Sequence, residues 1–444
     1  VVLRHEALRT RLVLRDGLLW QQVGEAGDFS LCRRDLSGPG AEAALERFLD
    51  DEVARPTALD HALPCSATLV TLGMHDHALV ISMHHTAVDG QSCEIFMREL
   101  AHALQGGDLS ALPQPLQCID VSEWQRACGD KGLWAPQLEY WRRALAAAPA
   151  VLGLQPERMP QRRSYRNARA ALCLPPASMQ RVTAAARQAR TTPFALLLAV
   201  WAATLARFGG DAEVMVATPV SAREREGMDS AVGFFSNTVV LRVGVSGSTG
   251  LDVLARTVRD QLAEALRHQD VPFAQVVEAS GVPRAAQRPA LAQAMFVLSQ
   301  GQDWDLVVDG QRVPPRIQAA PVSRCDLSLA LLAGQGEDDL VLGGHIEYAA
   351  DLFGPALAAR LASAFSALLE AALQQPAAPL DGHPLCDAHE QALLDRLACA
   401  AAPPQRLNPP HRGPQRLDAL LRRAAAEHPG LPAVASMAGA PQAM

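Results

Sequence analysis

The sequence has 444 residues, 49% of them hydrophobic and 20% charged, with a net charge of −7 and only 5% aromatic residues. That length anticipates two to three domain-sized units with sizeable cores, and the charge balance carries no basic footprint for nucleic acid or an anionic membrane surface. The nine cysteines are scattered from Cys32 to Cys399 with no CxxC pair, which argues against a disulfide framework or a zinc site and for a reducing, cytoplasmic setting.

In chain order, the start Val1-Val2-Leu3-Arg4-His5 has neither a charged-then-apolar leader nor an initiator Met, so the chain reads as a fragment without a signal peptide. Ala67 to Leu72 and Ala78 to Met83 are short apolar runs suited to buried strands. Phe96, Leu100, Ala103 and Leu104 then recur at helical spacing, and Gly106-Gly107 supplies a stop. Thr192-Pro193 is a cap residue followed by proline at the first helical position. The helix it opens runs through the apolar stretch Phe194 to Ala206, too short to span a bilayer, and stops at Gly209-Gly210. Strands are expected at Glu213 to Pro219, Val239 to Val245, Ala294 to Ser299, Asp326 to Ala333 and Leu340 to Tyr348. Leu357, Leu361, Phe365, Leu368 and Ala372 share one face of a long amphipathic helix.

Two mixed α/β units are thus expected, divided near Pro149 to Arg163. Beyond Gln374, prolines at 376, 379, 384, 403, 404, 409, 410 and 414 mark a linker over 375–415. The remainder, 416–444, holds one amphipathic helix (Leu417, Leu420, Leu421, Ala424) and is too small to bury a core of its own.

The segment His84-His85-Thr86-Ala87-Val88-Asp89-Gly90 is the candidate for the chemistry, although a histidine pair at a strand end is more often structural or at the surface than catalytic. It falls where an apolar strand ends and a helix begins. Adjacent strand residues point to opposite faces, so one of the two histidines would face a given cavity. An imidazole there suits general-base work near neutral pH. Asp89 would orient an imidazole or pair with an arginine, and Gly90 permits close backbone approach. His75 and His77 are read as solvated, and no spacing favours a metal site. HxxxD alone is a weak pattern that arises by chance; the assignment rests on its neighbours.

HHTAVDG resembles the HHxxxDG signature of nonribosomal peptide synthetase condensation domains, and other segments follow that family in order. Arg4 to Arg11 is similar to its RHExLRTxF segment, Asp120 to Gln125 to DYAxWQ, and Tyr140-Trp141 to the YW that follows. Val232 to Thr238, ending at Arg242, resembles IGFFVNTxxLR, and His268 to Phe273 resembles HQDxPF. Asp326 to Leu329 and Glu347 to Phe353 look like its DLTL and EYxxDLF strands. The tail, Leu417 to Leu421 with His428-Pro429 and Ala433-Val434, is similar to the opening of an adenylation domain.

The resemblance implies an α/β (α+β) fold of two chloramphenicol acetyltransferase-like lobes, each a mixed sheet with flanking helices, arranged as a V. The lobes would span 1–160 and 161–374, with the linker at 375–415 and the truncated adenylation start at 416–444. It implies peptide-bond formation between a donor acyl or peptidyl thioester and an acceptor aminoacyl thioester. Both arrive on the 4′-phosphopantetheine of partner carrier proteins; no cofactor is bound tightly and no metal is used. Expected partners are upstream and downstream carrier proteins and an adenylation domain in the same chain, with no nucleic acid and no membrane.

By position His85 is the reacting histidine, as base or positioning group, and the Gly90 N–H a donor to the developing oxyanion. Asp89 would pair with Arg9, both supporting the loop, with His84 turned away to pack or hydrogen-bond. Asn237 is a candidate substrate-channel residue, and Arg242 is read with it as structural in the lobe crossover. The chain departs from the family at Gln91, where Trp is frequent, at Arg55 to Leu59 and at Arg288 to Leu291. The family's first motif would precede Val1, so the first lobe is expected to lack its first strand and helix and to be less stable for it. The rival readings are an ester-forming or CoA-dependent acyltransferase, although a DFGWG-like segment is missing, and a recruitment domain that has lost catalysis. An epimerisation domain would carry Ser-Trp-Arg where Gln91-Ser92-Cys93-Glu94 stands.

Overall fold

The computed structural model describes residues 1–386 apart from 284–287, 301–303, 309, 319–321 and 336–339, and further along the chain only 390–392 and 395–396. The adenylation-like segment 416–444 and most of the proline-rich stretch lie outside the described residues.

The chain opens with a hairpin of strands β1 (Thr10–Arg15) and β2 (Leu18–Val23). Its turn is Asp16-Gly17, with φ of 51° and 76°. Positive φ at both central residues is what a two-residue hairpin turn demands, and Asp-Gly meets it at low steric cost. This signal is legible in the sequence but is not among the elements expected there. A three-stranded sheet follows, ordered β3 (Leu31–Asp35), β4 (Cys65–Thr71), β5 (His77–Met83), with helix α1 (Ala41–Ala54) between β3 and β4. Helix α2 (Gly90–Leu104) packs Ile95 and Phe96 with Leu8, Cys65 and Val88 into the core of this half.

The helices α3 (Cys118–Asp130) and α4 (Ala135–Ala144) come before residue 160, yet Trp134 and Trp141 are buried in the core of the second half. The Trp141 indole N–H donates to the His268 carbonyl at 2.9 Å. Packing therefore joins this stretch to the second half, earlier in the chain than the expected division near 160.

The second half is built on a six-stranded sheet. Its strands, in chain order, are β6 (Asn167–Ala171), β7 (Glu213–Ser221), β8 (Ser236–Gly244) and β9 (Ala294–Gln300), then, after a small hairpin β10 (Leu306–Val308) and β11 (Gln311–Val313), β12 (Leu327–Gln335) and β13 (Leu340–Ala349). The spatial order is β6-β13-β12-β9-β7-β8, with β9 parallel to both β7 and β12. The helices α5 (Ser178–Gln188), α6 (Pro193–Gly209), α7 (Leu251–Arg267), α8 (Phe273–Ser280) and α9 (Pro355–Gln374) complete it. Helix α6 opens as expected, the Thr192 hydroxyl accepting from the Ala195 N–H at 3.1 Å. It is buried on all sides from Ala195 to Ala206, packing against α5, α7 and α9. Helix α9 is long and apolar enough to cross a bilayer, but Leu361, Phe365, Leu368 and Leu369 are spent on the core.

Two stretches outside the main sheets are docked on their neighbours. The β10–β11 hairpin leans on α2, where the Gln105 amide donates to the Val307 carbonyl, and Arg316 pairs with Glu46 of α1. The stretch after α9, expected to begin a linker at 375, is instead docked through residue 383. The Pro376 carbonyl accepts from Asp252 N–H, and Leu380, fully buried, donates its N–H to Thr249. The prolines there remove backbone donors without leaving the strip unattached.

Candidate active site

Strand β5 ends at Met83, so both histidines lie in the turn beyond it. The strand alternation invoked to separate them does not reach them; local hydrogen bonds separate them instead. The His84 Nδ1 accepts from the Thr86 N–H (3.2 Å) and lies 2.9 Å from its hydroxyl. The His85 Nδ1 lies 2.7 Å from the Val88 carbonyl, a group that only accepts. Nδ1 therefore carries the proton, and the neutral ring keeps its lone pair on Nε2. The Phe234 ring stands perpendicular to the imidazole, centroids 5.1 Å apart.

His85 as a residue remains accessible to solvent, but enough of its ring is enclosed that desolvation holds its pKa below the ordinary histidine value. The Arg324 charge pushes in the same direction, against smaller opposing effects that include the Val88 carbonyl and the Asp89 carboxylate. The neutral, base-competent form is thereby favoured near pH 7.

Asp89 is buried and caps α2, its Oδ1 accepting from the Ser92 N–H at 2.9 Å. Its ion-pair partner is Arg223, 2.8 Å away through Nη2. Arg9 is not that partner. Its Nη1 donates to the Gly24 carbonyl at 2.6 Å and its Nη2 lies 3.5 Å from Glu6, fastening the base of the β1–β2 hairpin. Arg223 also donates to the Met228 and Ala231 carbonyls at 2.8 and 2.7 Å, and its guanidinium stacks on the Phe235 ring. The Phe235 N–H in turn donates to Asp89 Oδ2 at 3.1 Å. The loop that carries His85 is thus tied to the second half through a buried ion pair and the hydrogen bonds around it.

Gly90 is the exposed first residue of α2, so its N–H is among those the helix itself cannot use. Asn237 does not present a free amide to a channel. Its Nδ2 donates to the Gln269 and Val271 carbonyls, both at 2.7 Å, and its Oδ1 accepts from the Phe273 N–H, which brackets the turn into α8. Arg242 pairs with Glu213 across β7 and β8. His75 and His77 are exposed.

Sequence reasoning missed Arg223, Ser92 and Phe234. Arg223 opens the alternating run Arg-Glu-Arg-Glu, which reads as a solvated face. Phe234 lies inside a recognised segment, but nothing in the sequence gives it a role.

Two α/β halves with flanking helices are the architecture of the chloramphenicol acetyltransferase-like fold, which the solved structures of condensation domains share. Residues 1–394 match the family described as the condensation domain. The chain belongs to that family, as found in nonribosomal peptide synthetases.

It is 33% identical, over 92% of its length, to a probable non-canonical nonribosomal peptide synthetase of Salinispora arenicola, CymA. It is 30% identical, over 88% of its length, to one of the linear gramicidin synthase polypeptides of Brevibacillus parabrevis. The chain spans only 5% of each of these relatives. Among solved structures, the X-domain in complex with OxyB from teicoplanin biosynthesis superposes with a TM-score of 0.77 at 24% identity, covering 87% of this chain and 86% of that one. The first condensation domain of the calcium-dependent antibiotic synthetase, in complex with a substrate analogue, gives 0.68 at 21% identity, covering 86% and 88%.

Proposed function

We propose that this domain forms an amide bond between a donor acyl or peptidyl thioester and the α-amine of an acceptor aminoacyl thioester. Each would be presented on the 4′-phosphopantetheine of a carrier protein, in the cytoplasm, with an adenylation domain beginning downstream near Leu417. The amine nitrogen attacks the donor carbonyl and the C–S bond breaks. The His85 Nε2 accepts or positions the amine proton, which leaves on the departing donor thiol. The Gly90 N–H is a donor for the oxyanion of the tetrahedral intermediate. General-base assistance of this kind is worth about 10²–10⁴-fold, and juxtaposing two tethered substrates adds to it.

The observation that carries this reading is the 2.7 Å bond from His85 Nδ1 to the Val88 carbonyl, which leaves Nε2 as the free basic atom of the loop. The test is to charge two carrier proteins with donor and acceptor thioesters, add the domain or His85→Ala, and detect the dipeptidyl thioester by mass spectrometry. Product from the wild type and its loss in the variant are expected; equal product from both would remove His85 from the reaction.

The likeness to an X-domain solved with a bound OxyB supports a second reading, a domain that recruits a partner protein without catalysis. That reading gains if the wild type yields no product from intact thioesters.

A further inference from the structure

Ser92 is the third residue of α2 and is fully buried. Its Oγ meets four polar atoms: Asp89 Oδ1, the Gly233 carbonyl and Arg223 Nη2, each at 2.8 Å, and the Gly233 N–H at 3.1 Å. A hydroxyl offers one proton and two lone pairs. Arg223 and the Gly233 N–H fill the lone pairs, and the proton goes to Asp89 or the Gly233 carbonyl. The oxygen is saturated, so it is no spare nucleophile; it is a joint.

The joint has a defined output. It holds both polar atoms of Gly233, and the Asp89 carboxylate holds the Phe235 N–H at 3.1 Å. Between those two fixed points lies Phe234, whose ring stands against His85. Residue 233 fits the joint only as glycine, because a Cβ there would sit 2.7 Å from the Phe235 ring and 2.8 Å from the Cys118 sulfur. Phe234 itself is almost half exposed, at 47%, so little besides its pinned backbone locates it.

We propose that Ser92 is a positioning residue for His85. Through Gly233 it sets the Phe234 ring, and the ring confines the imidazole to the orientation in which Nδ1 stays on Val88 and Nε2 faces outward. The activity part of its test rests on the amide-forming reading; the spectroscopic part does not.

The experiment compares wild type, Ser92→Ala and Ser92→Cys, with Ser366→Ala, whose hydroxyl donates to the Ala362 carbonyl within α9, as control. Dipeptide formation is measured as kcat and KM, and long-range ¹H–¹⁵N spectra report the His85 tautomer. Ser92→Ala is expected to lower kcat by about 10²-fold, the usual effect of a misplacement near 1 Å, with KM for the carrier substrates little changed. Its neutral His85 should show a mixture of tautomers where the wild type shows Nδ1–H alone. Ser92→Cys, with a weaker donor and acceptor of similar size, should fall between, and supplies the measurement if the alanine variant does not fold. Ser366→Ala should match the wild type in both. An unchanged His85 spectrum in the folded Ser92 variants, or a loss confined to KM, overturns the proposal. A wild type that makes no product but whose His85 spectrum responds to Ser92 refutes the amide-forming reading and leaves the positioning role standing.

Discussion

Removing one member of the Asp89–Arg223 pair tests how the His84–Gly90 loop is held. The two side chains are 4% and 3% exposed, and the carboxylate accepts from Ser92 N–H, Phe235 N–H and both Nη2 and Nε of Arg223, with the Ser92 Oγ 2.8 Å away. Arg223→Met leaves a desolvated carboxylate with its charge uncompensated, which costs about 3–5 kcal/mol. Asp89→Ala strands the guanidinium and also removes the α2 cap, adding roughly 1 kcal/mol. Guanidinium-chloride unfolding should place the two variants in that order. The double variant should lose less than the sum of the singles by about 0.5–3 kcal/mol, as expected of residues in direct contact. Arg9→Met removes a partly exposed hydrogen bond and should cost only about 1 kcal/mol, additively with Asp89→Ala. Equal costs for Arg9→Met and Arg223→Met, with non-additivity toward Arg9, would refute the assignment of the partner.

The remaining predictions concern pH, packing and thiol access. Since the folded pKa of His85 lies below its unfolded value of 6.5, its contribution to stability is complete above 6.5 and is lost as pH falls through that value toward the folded one. The acid limb of dipeptide formation should likewise fall with a midpoint below 6.5, and Arg324→Gln, by removing a repelling positive charge, should move that midpoint up; an unmoved or lower midpoint in the variant contradicts this. The Glu347 carboxyl is drawn down to about 2 by hydrogen bonds and charge from His345 and Arg169, so its stabilisation is present above about 4.5 and lost as pH falls toward 2. Glu347→Gln should flatten the acid side of a melting-temperature profile over that range. Gly233→Ala should destabilise by about 1–3 kcal/mol through overpacking, seen as a lower unfolding midpoint. Burial pushes the Cys65 and Cys325 thiols up to about 12, so a maleimide at pH 8 should label the exposed Cys32 and Cys173 in the folded protein and spare the buried two until denaturant is added.

Elements whose sequence period matches their burial were legible. The runs that became β4, β5 and β9 alternate or stay apolar because their neighbours on the sheet do, and α6 announces itself by its cap and proline. The place of the His84 to Gly90 loop between a strand and a helix was legible, since it depends on short-range order. What holds it was not. Arg223 lies 134 residues from Asp89, and nothing local distinguishes it from the charged residues beside it, whereas Arg9 had the advantage of a recognised segment. Asn237 illustrates the converse: an amide in a recognised segment reads as substrate-facing until its three backbone partners are seen. Trp134 and Trp141 show the same limit for domains, because chain order places them in the first half and packing in the second.

The docked strip after α9 bears on a quite different matter, the reach of whatever follows in the chain. Residues 375 to 383 are nine positions, which fully extended would span roughly 30 Å. With Leu380 seated beside Thr249 and the Asp381 N–H bonded to Gly247, that length is not available as slack. Whatever follows in the chain starts from the far end of the strip, and these nine residues add nothing to its reach. Freeing the strip would lengthen the leash without altering a single residue near His85.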